Sequence, residues 1–222
     1  FRSVMAAGVE SMSRVPMFST GELFRQAGLG EYTSPQMQKR YPGVRFSQFS
    51  GAEMMAKQYG LGKDVLDQYA LQSHQRASLA TQQGRFQNEI IPLAVHRQGT
   101  EPETEWLHAD EGIRHDASLA TISGVKLLQV DGVITAANAS QICDGSAALL
   151  VASEHAVKDH GLKPLARIHH LSVLGHDPVI MLEAPIPATQ RAVAKAGLSI
   201  QDIDLYEVNE RSEEHTSEHQ SH

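Results

Sequence analysis

The chain has 222 residues, with 19 lysines and arginines against 26 aspartates and glutamates, which gives a formal net charge of −7. This acidic balance argues against nucleic-acid binding, which requires a basic face, although it allows a local basic patch for an anionic cofactor. A single cysteine excludes an intramolecular disulfide, and no apolar run reaches the roughly 20 residues of a membrane helix, so no membrane association is predicted.

Local signals in the first third of the chain predict one strand and two helices. The apolar segment Ser3–Gly8 predicts a buried strand, whereas residues 13–50, rich in Gly, Pro, Ser and Gln, predict irregular structure. Helices are predicted at Gly51–Tyr59 and Asp64–Gln83, with Gly84 ending the second one. The packed face of the longer helix is predicted to consist of Leu66, Ala70, Ser73, Ala77 and Ala80.

The middle of the chain predicts strands separated by turns. Ile90–Arg97 alternates enough to predict a strand, and the polar residues 98–116 predict turns. The apolar run Ala147–Ser153 predicts a strand of the buried kind. A short helix at Ser153–His160 follows, with its first residue as the N-cap and Gly161 as its end.

The last third of the chain predicts a further alternation. Leu165–Leu174 predicts a strand, and Pro185–Ala196 predicts a helix with its prolines in the first turn and Gly197 after its end. Leu205–Val208 predicts the start of another strand. Because strands alternate with helices, the sequence indicates an α/β fold.

The most informative segment is Gly132–Leu150, GVITAANASQICDGSAALL, in which small and hydroxyl residues precede Asp144, Gly145 and an apolar run. That order suits a loop whose backbone approaches a ligand before the chain enters a strand. The segment resembles the "TAGNAS…DGAAA" block of the thiolase family, whose enzymes make and break carbon–carbon bonds on coenzyme A thioesters. Three further segments resemble thiolase blocks in the family's order: Met5–Pro16 (MAAGVESMSRVP), Gly84–Pro92 (GRFQNEIIP), and Asp177–Gly197 with Asp202–Glu210 (DIDLYEVNE).

The resemblance implies the layered αβαβα fold of the thiolases, a pseudo-duplicated α/β fold of which this chain is expected to be an incomplete part. Residues 1–160 would form the N-terminal half, with an inserted loop domain at about 13–130 that binds coenzyme A. Residues 163–210 would begin the C-terminal half. The family's nucleophilic cysteine, in a "C.SG" motif, is expected before Phe1, and its "GHP" histidine and second cysteine are expected after Glu210.

Residues 211–222, RSEEHTSEHQSH, break the family pattern. They resemble the translation of a sequencing adapter, and they are interpreted as a non-native tail that is left out of fold reasoning. His215 and His219 fit the H-x-x-E-H pattern of some zinc peptidases. No metal site is predicted there, because the tail has no apolar face to seat such a helix.

Five residues are predicted to belong to the functional site because of the resemblance. Asn209 matches the asparagine that holds a water of the oxyanion hole, and an amide offers a donor and an acceptor at one position. Ser140 matches a serine that contacts the pantetheine arm of coenzyme A, and Arg114 matches an arginine near its nucleotide end. Gln48 and Ala136 complete the predicted coenzyme A contacts. The alternatives are local turn caps for the asparagine and the serine, and a solvated surface arginine.

Other polar residues are predicted to have structural roles. Asn138 and Asp144 are expected to hold their loop through side-chain-to-backbone hydrogen bonds. Cys143 is expected to be a small, half-buried residue and not a nucleophile, and His176 is expected at a variable position of the family. Three further histidines are expected to face solvent: His74, His169 and His170.

The expected function is that of an acetyl-CoA C-acyltransferase, which cleaves a 3-ketoacyl-CoA with coenzyme A into acetyl-CoA and a shortened acyl-CoA through a cysteine acyl-enzyme. Coenzyme A is a substrate, and no covalently bound cofactor or metal is expected. Ser47–Ala52, SQFSGA, is more similar to thiolases of fatty-acid or steroid side-chain breakdown than to the short-chain biosynthetic type. The alternatives are a non-catalytic acyl-CoA-binding or lipid-binding relative and, ranked lower, a condensing enzyme of the ketoacyl synthase type.

The resemblance also implies a homodimer or homotetramer of the full-length protein. A cytoplasmic location is expected if the source is bacterial; for any other source the location stays unknown, because the N-terminus is missing. The chain alone is expected to be inactive, because the nucleophile and its base lie outside it. It is also expected to fold poorly by itself, because its sheets would expose unpaired edges; sharp cooperative melting would contradict this.

Overall fold

The computed structural model describes residues 2–17, 19–31, 33–95 and 105–208. Asn209 and the predicted tail at 211–222 therefore lie outside the described residues. The helices are α1 Ser19–Gln26, α2 Pro35–Arg40, α3 Gln48–Tyr59, α4 Lys63–Gln82, α5 Leu119–Ser123, α6 Glu154–Asp159 and α7 Pro185–Ala196, with a short 3-10 helix at Ile200–Asp202. The strands are β1 Ser3–Glu10, β2 Leu93–Val95, β3 Glu105–Leu107 and β4 Gly145–Ala152.

The chain divides into two compact units. The first unit comprises Phe1–Met55 and Ile142–His222, and the second unit comprises Ala56–Gln141. This division does not test the domain boundaries that the resemblance implies, and those boundaries stay a prediction. Among the described residues, no helix combines the length and the apolar character needed to cross a bilayer.

The first unit contains an antiparallel ribbon of β1 and β4. Its register runs from Ser3 opposite Ala152 to Glu10 opposite Gly145. Both strands were predicted, and both are confirmed. Their predicted burial is wrong, because every residue of β1 and all but the last of β4 are exposed. A two-stranded ribbon leaves both faces of each strand open to solvent, and such a ribbon is only marginally stable by itself.

Helices α6 and α7 of the first unit begin and end where the local signals predict. The Ser153 hydroxyl caps α6 by accepting a hydrogen bond from the Ala156 backbone N–H at 3.2 Å. Gly161 follows α6 with a φ of 60°, and Gly197 follows α7 with a φ of 70°, which is the left-handed conformation that glycine adopts without steric cost. The helix predicted at Gly51–Tyr59 is also confirmed as α3, which begins three residues earlier.

Two predicted strands of the first unit are absent. Neither Leu165–Leu174 nor Leu205–Val208 forms a strand, and Leu165 and Leu205 are 96% and 89% exposed. A strand requires a partner for its backbone N–H and C=O groups. In the described part of the first unit β1 and β4 pair with each other, so these apolar segments have no ladder to join.

The second unit is built around α4. The helix predicted at Asp64–Gln83 is confirmed, and Gly84, with a φ of 67°, follows its end. Helix α5 packs against α4. The unit also contains the antiparallel pair of β2 and β3, which joins Leu93 to Leu107 and Val95 to Glu105. The strand predicted at Ile90–Arg97 is confirmed over β2, and the end of that range lies outside the described residues.

The predicted packed face of α4 is wrong. The buried side chains are Asp67, Leu71 and Ser78, whereas Ser73 of the predicted stripe is exposed and its other members are half-buried. The helix is therefore rotated relative to its apolar stripe. Two of the three buried residues are polar, and their partners, described below, account for the rotation.

Three short helices were not predicted. Residues 13–50 were expected to be irregular, but they contain α1 and α2, and the latter begins with Pro35 after Ser34 as its N-cap. A capping box formed by Ser118 and Thr121 starts α5. The capping signals of α2 and α5 were present in the sequence. They favoured helices, at α2 against a composition that had indicated irregular structure.

Gly51 supplies a test of the packing of α3. A Cβ at this position would lie 2.7 Å from the Ile180 carbonyl oxygen. We predict that Gly51→Ala destabilises the protein by about 1–3 kcal/mol through overpacking, although alanine is about 1 kcal/mol better than glycine inside a helix. Urea unfolding measures the sign of the change.

Gly145→Ala is the control, because a Cβ at Gly145 meets nothing within 4 Å. Stabilisation by Gly51→Ala would show that α3 does not pack against Ile180 as described.

Candidate functional site

The inner face of α4 carries a line of polar side chains. Asp67, His74 and Ser78 are separated by seven and four positions, which places them on one side of an α-helix. Asp67 is 2% exposed and Ser78 is 7% exposed, while His74 is half-buried. Two loops of the second unit contact this line, one at residues 110–118 and the other at residues 133–141.

Asp67 is a buried carboxylate with two partners. Lys63, one helical turn earlier, donates a hydrogen bond from Nζ to Asp67 Oδ2 at 2.5 Å. The Asn138 amide donates from Nδ2 to Asp67 Oδ1 at 3.0 Å. The same lysine ammonium also donates to the Ser123 carbonyl oxygen at the end of α5, at 3.0 Å. One carboxylate thus connects α4, the end of α5 and the loop at 133–141.

Asn138 closes the turn that it belongs to. Its Oδ1 accepts a hydrogen bond from the Thr135 backbone N–H at 2.8 Å, and its Nδ2 also donates to the Val133 carbonyl oxygen at 3.0 Å. Thr135 is fully buried, and its hydroxyl accepts from the Ala137 backbone N–H at 3.1 Å. The predicted role of Asn138 as a loop-holding residue is confirmed.

The loop at 110–118 is held to α4 through two histidines. His74 Nδ1 accepts a hydrogen bond from the Arg114 backbone N–H at 3.2 Å. His115 Nδ1 lies 2.8 Å from the Ser78 hydroxyl, on the same helix face. The prediction that His74 faces solvent is wrong, because its ring lies between α4 and this loop.

The two loops also contact each other. Gln141 donates a hydrogen bond from Nε2 to the Gly112 carbonyl oxygen at 2.6 Å. Arg114 is two residues after Gly112, and Ser140 is the residue before Gln141. The structure therefore brings together the loops that carry two of the predicted coenzyme A contacts.

The five predicted site residues are distributed as follows. Arg114 is exposed, Ser140 is half-buried, and Ala136 is exposed in the turn closed by Asn138, all within the second unit. Gln48 is the first residue of α3 and belongs to the first unit. Asn209 lies outside the described residues. The roles of all five stay predictions.

In the loop at 110–118, Arg114 places a positive charge beside the His74 ring. Desolvation, followed by the positive charge of Arg114, lowers the pKa of His74 from its ordinary value of 6.5. A neutral His74 ring is what the Arg114 backbone N–H requires as its acceptor. The guanidinium itself is exposed and suited to bind phosphate.

In the first unit, Asp144 joins two of the thiolase-like segments. Its carboxylate accepts hydrogen bonds from the Ser13 hydroxyl at 2.5 Å, the Ser13 backbone N–H at 2.9 Å and the Ser11 hydroxyl at 3.2 Å. The bonds from the side chain and then the backbone of Ser13 are the main reason that the pKa of Asp144 is lowered. The predicted structural role of Asp144 is confirmed, and it pins the turn after β1 to the start of β4.

Two other predictions about single residues are corrected, those for Cys143 and His170. Cys143 is exposed rather than half-buried, because the chain around it runs along the open edge before β4. His170 does not face solvent, because its Nε2 is buried and has no hydrogen-bond partner. His176 lies 3.7 Å from the Glu183 carboxylate. No group of three or more potential metal ligands occurs among the residues that the structure describes.

An apolar cavity of 690 Å³ lies in the first unit. It is lined by one side of α7, including Ile186 and Val193, and by Leu182, Leu198 and Val208. None of the predicted site residues lines it. The cavity therefore offers no polar group of the predicted site to a ligand.

Sequence reasoning missed the contacts that hold the two loops. The signals were the Lys63–Asp67 pair at four residues' separation and the helical spacing of Asp67, His74 and Ser78. Both were overlooked because the periodicity of α4 was judged from its small and apolar residues.

Comparison with known proteins identifies a family. The model of the thiolase N-terminal domain matches residues 1–155, and that of the thiolase C-terminal domain matches residues 162–214. A steroid 3-ketoacyl-CoA thiolase of Mycobacterium tuberculosis is 45% identical over 209 residues, which cover 93% of this chain and 49% of that protein. A 3-ketoacyl-CoA thiolase of Klebsiella pneumoniae is 38% identical over 208 residues, covering 93% and 51%.

A solved structure shows the same fold. The acetyl-CoA acetyltransferase of Syntrophomonas wolfei matches with a TM-score of 0.73 and 30% identity, covering 94% of this chain and 53% of that one. The predicted α/β thiolase fold is thereby confirmed. The chain spans about half the length of the curated relatives it matches.

His74 yields a pH-dependent prediction. Its folded-state pKa is depressed, so the stability that its neutral ring contributes is present above pH 6.5 and is lost as the pH falls through the folded-state pKa. We predict that hydrogen exchange at the Arg114 amide, corrected for intrinsic rate, accelerates below pH 6.5.

His74→Gln removes the titration while keeping an acceptor oxygen, so the pH dependence should disappear. The exposed His160 provides the control variant, His160→Gln, which should retain it. Equal pH dependence in the His74→Gln variant would refute the proposed role of His74.

Proposed function

The chain belongs to the thiolase family, and we propose that the whole protein is a 3-ketoacyl-CoA thiolase in which this chain supplies the coenzyme A-binding loops. The observation that carries the proposal is the joint anchoring of the loops at 110–118 and 133–141 on the inner face of α4. These loops present an exposed guanidinium at Arg114 and a hydroxyl at Ser140. Such a pair suits the phosphates and the amides of coenzyme A.

The proposed reaction is the thiolytic cleavage of a 3-ketoacyl-CoA. A cysteine thiolate of the whole protein attacks the C3 carbonyl, the C2–C3 bond breaks, and the electron pair that stays on C2 takes up a proton to give acetyl-CoA. Coenzyme A then gives up its thiol proton and attacks the acyl-enzyme, which releases the shortened acyl-CoA and returns the cysteine. Both carbonyl groups need donors for the charge that develops on their oxygens, and we propose that Asn209 positions a water for this task.

The proposed substrates are those of degradative thiolases. The SQFSGA segment at residues 47–52 and the name of the 45%-identical mycobacterial relative both favour a fatty-acyl or steroid side-chain substrate. Gln48 and Ala136 are proposed to border the pantetheine arm. We also propose that the whole protein is a homodimer or homotetramer.

The assay for this function is thiolysis by the complete protein with 3-ketoacyl-CoA substrates of short, long and steroid side-chain type. We expect the fastest cleavage with a long or steroid side-chain substrate. Failure with all three, combined with measurable acyl-CoA binding, would favour the alternative of a non-catalytic acyl-CoA-binding relative. Failure of both cleavage and binding would contradict the proposal altogether.

Arg114 supplies a test of how coenzyme A lies. We predict that Arg114→Ala in the complete protein raises KM for coenzyme A by about ten-fold, the effect of losing one hydrogen bond to a charged group. The backbone bond from residue 114 to His74 survives this change. With pantetheine, which lacks the nucleotide, the variant and the unmodified protein should have the same KM.

The matched control is Arg76→Ala, which removes an exposed arginine of α4. An equal increase in KM for coenzyme A and for pantetheine would show that Arg114 does not contact the nucleotide.

A further inference from the structure

We propose that Asp67 is a positioning residue for coenzyme A, which acts through Asn138 on the turn that carries Ala136 and on the following Ser140. This inference rests on the proposed function. It adds Asp67 to the residues that determine coenzyme A binding, although the turn closed by Asn138 lies between Asp67 and the ligand. Asp67 is 2% exposed, so it acts on the bound molecule through its partners rather than by contact.

The carboxylate of Asp67 is committed to its two partners. A buried charge is stable only if it is paired and its lone pairs accept hydrogen bonds. Lys63 supplies the charge to Oδ2, and Asn138 supplies the hydrogen bond to Oδ1. Because both oxygens are occupied, displacing Asn138 would leave a buried lone pair without its donor.

Asn138 transmits this constraint to the turn. Its amide accepts from the Thr135 backbone N–H and donates to the Val133 carbonyl oxygen while it donates to Asp67. The amide therefore holds a single orientation. The turn is also anchored within the second unit, because the Thr135 side chain is fully buried. Ala136 lies inside this closed turn, and Ser140 lies two residues after Asn138, the last residue of the turn.

A positioning role of Asp67 differs from a purely structural role in the parts of the protein that it affects. Asp67 contacts the turn on one side and Lys63 on the other, and Lys63 in turn holds the end of α5 through Ser123. A purely structural role would loosen both sides, whereas a positioning role is specific to the turn. Energetic coupling between Asp67 and Ser140 distinguishes the positioning role from the structural role.

The test is a double-mutant cycle of Asp67→Asn and Ser140→Ala in the complete protein. Asparagine at position 67 keeps the shape of the side chain, but its N–H₂ group would face one of the two donors, Lys63 Nζ or Asn138 Nδ2. We expect Asp67→Asn to raise KM for coenzyme A by about ten-fold with kcat within two-fold. We also expect the Ser140→Ala change to have a much smaller effect in the Asp67→Asn background, because the hydroxyl is already misplaced. Additive effects on KM would overturn the proposal.

Asp64→Asn is the matched control, because it makes the same carboxylate-to-amide change at an exposed position on the same helix; it should leave KM unchanged. If Asp67→Asn fails to fold, Asp67→Ser replaces it in the cycle, since it removes the carboxylate while keeping the Asn138 amide that bonds to Thr135 and Val133. The same rise in KM and the same coupling to Ser140 are expected.

Hydrogen exchange distinguishes the failure of this inference from the failure of the proposed function. Asp67→Asn, or Asp67→Ser in its place, should accelerate exchange in peptides covering residues 133–140 while leaving β4 unchanged, whether or not coenzyme A is present. Unchanged exchange at 133–140 would refute the positioning role directly. Accelerated exchange in a protein that binds no coenzyme A would refute the proposed function, and with it the assignment of this turn to coenzyme A.

Discussion

The buried carboxylate of Asp67 is the constraint on which the candidate site depends. Breaking a buried ion pair by removing one partner typically costs about 3–5 kcal/mol, so the surroundings of Asp67 must satisfy it in the folded chain. Lys63 neutralises it from the preceding turn of α4, which leaves Oδ1 for Asn138. The two loops of the site are then fixed to one helix, the first by the histidines and the second by Asn138.

The two units differ in how their apolar surface is covered. In the second unit, polar contacts along α4 hold loops over a helix face. In the first unit, the ribbon of β1 and β4 leaves both faces open, and Leu165 and Val173 are more than 90% exposed. Exposed apolar strands of this kind form an incomplete core. This is the physical basis of the expectation that the chain folds poorly by itself, which stays a prediction.

The sequence predicted what short-range signals control. Helices α3, α4, α6 and α7 follow from local signals, namely the capping serine of α6 and the glycines with positive φ after each of the four helices, since each signal acts within a few residues. The strands at Leu165–Leu174 and Leu205–Val208 could not be predicted in this way, because a strand depends on a distant partner. The buried face of α4 was wrong for the same reason: it is set by Asn138, 71 positions away from Asp67.

The candidate site shows the same division. Ser140 and Arg114 were identified by their resemblance to family motifs, but the contacts that bring their loops together were not visible in the motifs. Those contacts join His74 to Arg114 and Gln141 to Gly112 across 40 and 29 positions. Burial was also misjudged at Cys143, because the apolar character of a neighbouring strand does not show whether another layer covers it.

The most direct test of the account is a crystal structure of the complete protein with coenzyme A bound. The account predicts the pantetheine arm against Ser140 and the nucleotide beside Arg114, with Asp67 still bonded to Asn138 beneath the turn. Coenzyme A bound elsewhere, such as in the apolar cavity of the first unit, would contradict it.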